Sequence, residues 1–139
     1  MIINGENLIV GRVATVVAKR ALLGDKIDIV NCEKMVITGK RDEIISRYQT
    51  ARKRGIHTKG PFIKRHPDRF VRRIIRGMLP YKQTRGRVAF KNIMCYIGVP
   101  DVFNGKEIIT IDNANVSMMN NLNYMQVGRL MKLLGGNYE

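Results

Sequence analysis

The spacing of apolar residues along this chain changes between a helical period and a strand period, and the changes mark out its elements. After an apolar start at residues 1–4 and a turn at Asn4-Gly5, the run Val13, Ala14, Val16, Val17, Ala18, Ala21 and Leu22 recurs at helical spacing. A mostly buried helix opening near Gly11 and ending at Gly24 is predicted. Residues 26–32 carry Ile27, Ile29 and Val30, and residues 35–38 carry Val36 and Ile37. Their β-branched content predicts two strands. From Gly39 to about Arg54 the charge order is helical: Asp42 and Glu43 stand in the first turn and Arg52, Lys53 and Arg54 in the last, matching the helix dipole. A helix over 67–79 is opened by Pro67 and stopped by Pro80. Thr84 is placed to cap another, carrying Val88, Ala89, Phe90 and Ile93 toward the core. Short strands are predicted at 95–98 and 107–111. Asn123, with Gln126 three residues on, reads as the cap of a last helix holding Val127, Leu130, Met131 and Leu134 before Gly135-Gly136. Strands alternating with helices predict an α/β domain with a largely parallel sheet covered on both faces.

Composition bounds this picture. A chain of 139 residues fits one domain, residues 1–139, in which about two thirds of the unfolded surface is buried. A hydrophobic fraction of 45% and a mean hydropathy of -0.17 are those of a globular protein. No apolar stretch approaches the roughly 20 residues a membrane span needs, and the first ten residues lack the pattern of a secretory leader. An intracellular, cytoplasmic location is expected. Cys32 and Cys95 each sit in an apolar run, so buried reduced thiols are the plain reading, with a disulfide left open. Asn115-Val116-Ser117 matches a glycosylation acceptor, which in a cytosolic chain is chance.

Charge changes the picture more. The chain has 25 Lys and Arg against 11 Asp and Glu, a net +14. Residues 40–91 hold 17 of those cations and three acids, so the whole excess lies there, and the remainder balances 8 against 8. A solubilising charge would spread over the surface, whereas a concentrated one points to a polyanion, above all nucleic acid.

The helix over 67–79 shows how that charge is displayed. At about 100° per residue, with Phe70 at zero, Phe70, Val71, Ile74, Ile75, Met78 and Leu79 cluster around +80°. Arg69, Arg72, Arg73 and Arg76 fall between about −60° and −160°, on the opposite side. Like charges three and four residues apart repel one another, so the stripe needs an external counter-charge, and the guanidinium fork matches phosphate oxygens. The loop at 55–66 mixes cations with glycines and with His57, Phe62 and His66, a mixture suited to folded or unpaired RNA, although Phe62 alone is equally well read as pinning the loop to the core. A second loop at 81–87 again sets cations, Lys82, Arg85 and Arg87, around a glycine. The candidate RNA-binding residues are Lys40, Arg41, Arg47, Arg52, Lys53, Arg54, His57, Lys59, Lys64, Arg65, Arg69, Arg72, Arg73, Arg76, Lys82, Arg85 and Arg87.

Catalytic readings fail on residue requirements. The two histidines lie nine residues apart among cations and neither cysteine has a neighbouring partner, so no metal site is expected. Gly5 and Gly11 do not form the Gly-x-Gly-x-x-Gly turn, and no Walker sequence occurs, so no nucleotide cofactor is expected either. Paired-carboxylate chemistry has only three acids to draw on in the basic segment.

Residues 71–86 read Val-Arg-Arg-Ile-Ile-Arg-Gly-Met-Leu-Pro-Tyr-Lys-Gln-Thr-Arg-Gly. This stretch closely resembles the signature of the ribosomal protein L-thirteen family of the large subunit, most specifically at Arg76-Gly77-Met78-Leu79-Pro80. The match continues in order through Gly11-Arg12-Val13-Ala14, Val30-Asn31-Cys32-Glu33, Ile37-Thr38-Gly39-Lys40, Gly60-Pro61 and residues 91–100. The forms of Ile37-Thr38-Gly39-Lys40 and Tyr96-Ile97-Gly98-Val99-Pro100 resemble the archaeal and eukaryotic branch, and the short tail its archaeal side. His66 before Pro67, and Tyr81, depart from the commoner residues. The resemblance implies a three-layer α/β/α domain around a mainly parallel four-stranded sheet with a basic helix-loop extension. It also implies a structural role in the large ribosomal subunit, binding to its RNA beside neighbouring ribosomal proteins, and action early in assembly. An RNA-modifying or nucleotide-using enzyme, and a messenger-RNA-binding translational regulator, are the alternatives.

Overall fold

The computed structural model describes residues 1–138. Its elements in chain order are β1 (Ile2–Asn4), α1 (Val10–Leu22), β2 (Ile27–Val30), β3 (Val36–Thr38), α2 (Arg41–Lys53), α3 (Pro67–Gly77), α4 (Thr84–Lys91), β4 (Ile93–Cys95), β5 (Ile108–Ile109), β6 (Tyr124–Gln126) and α5 (Val127–Leu133). Single-turn helices stand at Cys32–Lys34, Asp101–Phe103, Asp112–Ala114 and Val116–Met118.

Alternation at a period of two decides which way each strand faces. The main sheet runs β4-β2-β1-β5 with every pair parallel. Its register aligns Ile3 with Ile29 and Ile29 with Cys95, and it sets Ile27 beside Ile93. These residues are buried in the larger core together with Val13, Ala14 and Val17 of α1, Phe70, Val71 and Ile75 of α3, and Ala89 of α4. Fully burying one such aliphatic side chain stabilises the fold by about 1.5–3 kcal/mol. The intervening strand residues face the other way: Ile2 and Val30 meet Phe103 and the half-buried Tyr96 in a second, much smaller cluster. The two rings there meet edge to face at 5.3 Å. The expected three-layer arrangement around a mainly parallel four-stranded sheet is thus borne out, with unequal layers. Helices cover one face, while a single-turn helix and one aromatic pair cover the other, leaving Met94 exposed.

Several expected details are corrected. β3 does not join the parallel sheet; it pairs antiparallel with β6, Ile37 opposite Met125. Asn123 consequently caps nothing. Its carbonyl accepts from the Gly39 N–H, residues 124–126 form the strand, and α5 starts after Gln126 without a side-chain cap. Thr84 is the first residue of α4 rather than its cap, and Val88 points outward. Ile93 belongs to β4, because α4 ends at Lys91 and the Asn92 carbonyl accepts from Ile27 N–H to begin the pairing with β2. The strand expected at 95–98 therefore lies two residues earlier, and that at 107–111 shortens to two exposed residues.

Both thiols are free and buried, Cys95 in β4 and Cys32 in the single-turn helix after β2. The Cys32 thiol donates to the Ile29 carbonyl at 3.5 Å. Its hydrogen bond with the Cys95 thiol, reinforced by burial, pushes it well above the ordinary thiol range, so it stays protonated and unreactive.

Candidate nucleic-acid interface

Helix α3 divides as its periodicity predicts. Pro67 occupies its first turn with Asp68, Arg76 lies in its last turn, and the helix packs on α1 and β4 through Phe70, Val71 and Ile75. Leu79 is buried beyond the helix end, whereas Met78, expected on the core face, is exposed because the helix stops at Gly77. On the opposite side the four arginines behave as two pairs. Arg69 and Arg73 are exposed and, among the described residues, have no hydrogen-bond or ion-pair partner. Arg72 and Arg76 are half-buried and lie over aromatic rings, Arg72 over Phe90 and Arg76 over Tyr81, each at 4.5 Å from the ring centre. Arg72 also donates to the Phe90 carbonyl at 3.5 Å, and its Nε is buried without a partner, as is Asp68 Oδ1. Guanidinium stacking of this kind holds a flat cation in a fixed orientation.

Helix α2 and the loop after it fold back toward this arginine side. Tyr48 of α2 meets Phe70 edge to face at 5.4 Å, and burial raises its phenol above the ordinary tyrosine range, keeping it neutral. Between α2, the loop and α3 lies a cleft of about 720 Å³. Arg47, Lys64, Arg69, Arg72, Arg73 and Arg76 line it together with Tyr48, Phe62, Phe70 and Phe90, and among the described residues no acid does. Pro61, Phe62 and Ile63 also border a second cleft of about 430 Å³, which gathers Arg52, Arg54, His57 and Arg65. Ten of the candidate residues thus converge on two adjoining cationic clefts separated by one loop.

The others stand outside. Lys40 is exposed and paired with Glu43 at 3.7 Å, while Arg41, Lys53 and Lys59 are exposed on α2 and the loop tip. Lys82, Arg85 and Arg87 are exposed around the Pro80 turn and α4, and Arg85 Nε donates to Gln83 at 3.1 Å. That turn is drawn tight by Gly86, where a Cβ would overlap the Pro80 carbonyl. Arg52 has a second task, donating to the Leu134 carbonyl at 3.0 Å just past the end of α5. Tyr48, Tyr81 and Phe90 are the additions that periodicity missed. By periodicity Phe90 belongs to the core, and its partner Arg72 is 18 residues away.

The place where doubly wound sheets hold nucleotides is already filled. In the order β4-β2-β1-β5 the chain reverses direction between β1 and β5, and ligands of such folds sit beyond the carboxyl ends of the strands at that point. Here the segment after β5 crosses it. Ile9 N–H donates to the Ala114 carbonyl at 2.8 Å, Val116 N–H to the Asn7 carbonyl at 3.0 Å, and Arg12 to the Asn113 carbonyl at 3.0 Å. Among the described residues no group of histidine, cysteine and acidic side chains is arranged to hold a metal, and no helix is long and apolar enough to cross a membrane.

The structure is thus an α/β body whose strand-order switch point is crossed by its own chain, carrying a polycationic annex with aromatic residues in its walls. Residues 1–101 match the family described as ribosomal protein L13, and the chain belongs to that family. It is 41% identical to the large ribosomal subunit protein uL13 of Methanosarcina barkeri (strain Fusaro / DSM 804), over 99% of both chains. Identity to the protein of the same name from Methanopyrus kandleri is 43%, over 96% of this chain and 86% of that one. To that of Methanococcus maripaludis it is 42%, over 99% of both. These archaeal relatives agree with the branch that the Ile37-Thr38-Gly39-Lys40 form suggested.

Proposed function

We propose that this chain is a structural constituent of the large ribosomal subunit in the cytoplasm. Residues 40–91 of its single domain, 1–139, bind large-subunit ribosomal RNA, while the neutral body meets neighbouring ribosomal proteins and supports early assembly. It acts without cofactor, small-molecule substrate or membrane. The observation that carries this reading is the convergence of Arg47, Lys64, Arg69, Arg73 and their neighbours on one cleft that, among the described residues, holds no acidic counter-charge. Such a surface is self-repulsive in isolation and is stabilised when phosphates neutralise it. Where RNA helices converge, the same cations lower the repulsion that opposes compaction, so binding and assembly share one physical cause. The stripe is not wholly free for this task. Arg69 and Arg73 offer their full donor sets, whereas Arg72 and Arg76 are braced by Phe90 and Tyr81 and act from fixed positions.

Sedimentation of the native protein through a high-salt gradient tests the assignment. The chain is expected to travel with the large subunit and to be released by ribonuclease. A chain found free at the top of the gradient, or bound to messenger RNA without subunits, contradicts it.

A further inference from the structure

We propose that the cleft between α2, α3 and the loop at 55–66 takes up a single unstacked RNA base, whose flanking phosphates rest on the arginines at its rim. This deepens the RNA-binding reading and rests on it. A purely electrostatic surface for a duplex needs only cations, and here the walls are aromatic as well. Phe90 already carries the Arg72 guanidinium over its ring at 4.5 Å, and Tyr48 meets Phe70 edge-on. Phe62 is 67% exposed at the junction of the two cationic clefts, where an apolar ring in water is unfavourable unless something covers it. The volume of about 720 Å³ falls within the roughly 300–1,000 Å³ of sites that hold organic groups of nucleotide size. Cations with no acid beside them among the described residues select an anionic guest over a neutral or cationic one, and aromatic or guanidinium planes select a flat one. An A-form duplex cannot supply such a group, because its bases are stacked and its major groove is too narrow for side chains to read. The guest is therefore a bulged or looped nucleotide, and Phe62 closes over it.

The probe is a hairpin RNA carrying a single bulged 2-aminopurine, compared with the same hairpin fully paired. Phe62→Ala removes an exposed ring, Phe62→Tyr restores one, and thermal melting checks that both variants fold. The native chain should bind the bulged hairpin more tightly and alter its 2-aminopurine fluorescence. Phe62→Ala should weaken that binding about tenfold and abolish the fluorescence change, with salt dependence and paired-hairpin binding untouched, and Phe62→Tyr should recover both. Arg73→Gln, by contrast, should weaken both hairpins and flatten the salt dependence. Equal binding of the two hairpins, or a bulged hairpin indifferent to Phe62→Ala, overturns the base site while leaving RNA binding intact. A native chain that binds neither hairpin at low salt overturns RNA binding itself.

Discussion

Replacing Lys64, Arg69 and Arg73 together by glutamine is expected to lower affinity for a large-subunit ribosomal RNA fragment on the order of a hundredfold at physiological salt. The slope of log affinity against log salt should become shallower by about two, since each lost phosphate contact removes roughly 0.7–0.9 of slope. These three are chosen because they are exposed, line the larger cleft and hold up nothing else among the described residues. Surface substitutions of this kind stay within about 0.5 kcal/mol in stability, so the melting temperature should hold. Extending the change to Arg72 and Arg76 is less clean than the periodicity of α3 suggested. Arg72 packs on Phe90 and bonds its carbonyl, so its loss disturbs the seat of α4 as well as the RNA surface. Filter binding across a salt series, with melting curves alongside, separates the two effects. Unchanged affinity and slope would mean that the arginine side is not where the RNA lies.

The same helix supplies the opposite result. Ile75→Ala is expected to cost about 3 kcal/mol of unfolding free energy and roughly 10 °C in Tm, with affinity per folded molecule retained. Ile75 is fully buried between α3 and the sheet face formed by Ile29, Ile93 and Cys95, where neighbours on α1 and α5 leave little room to collapse into the gap. Urea denaturation gives the stability, and titration of the folded fraction gives the affinity. Stability unchanged by Ile75→Ala would deny that α3 is anchored as described. Lost affinity in the folded fraction would deny that its two faces act independently.

That division of α3 was legible because a local period carries it: eleven residues, one apolar stripe, one cationic stripe, a proline in the first turn and another three residues past the end. Strand content at β2 was legible for the same reason, since Ile27, Ile29 and Val30 are β-branched, whereas Ile93 of β4 reads as the end of the preceding helix. What a period cannot carry is the partner of each element. β3 reads as one more strand of the sheet, yet pairing with β6 sets it apart, and this pairing also turned an apparent Asn123 cap into the start of a strand. The crossing of the strand-order switch point depends on Ile9 meeting Ala114 across more than a hundred residues. Stacking of Arg72 on Phe90 and of Arg76 on Tyr81 joins residues that composition treats as separate, a cation stripe and stray aromatics. Charge concentration picks out the segment proposed as the interface; tertiary contact decides which of its cations are free among the described residues.

Chemical acetylation of lysines in purified large subunits tests most directly whether the interface at 40–91 faces RNA. Lys59, Lys64 and Lys82 are exposed in the free chain, as are Lys19 and Lys106 on the neutral body. Lys59, Lys64 and Lys82 should be protected in intact subunits and regain their free-chain reactivity after ribonuclease treatment, with no such ribonuclease dependence at Lys19 and Lys106. Full reactivity of Lys59, Lys64 and Lys82 in intact subunits would contradict the account.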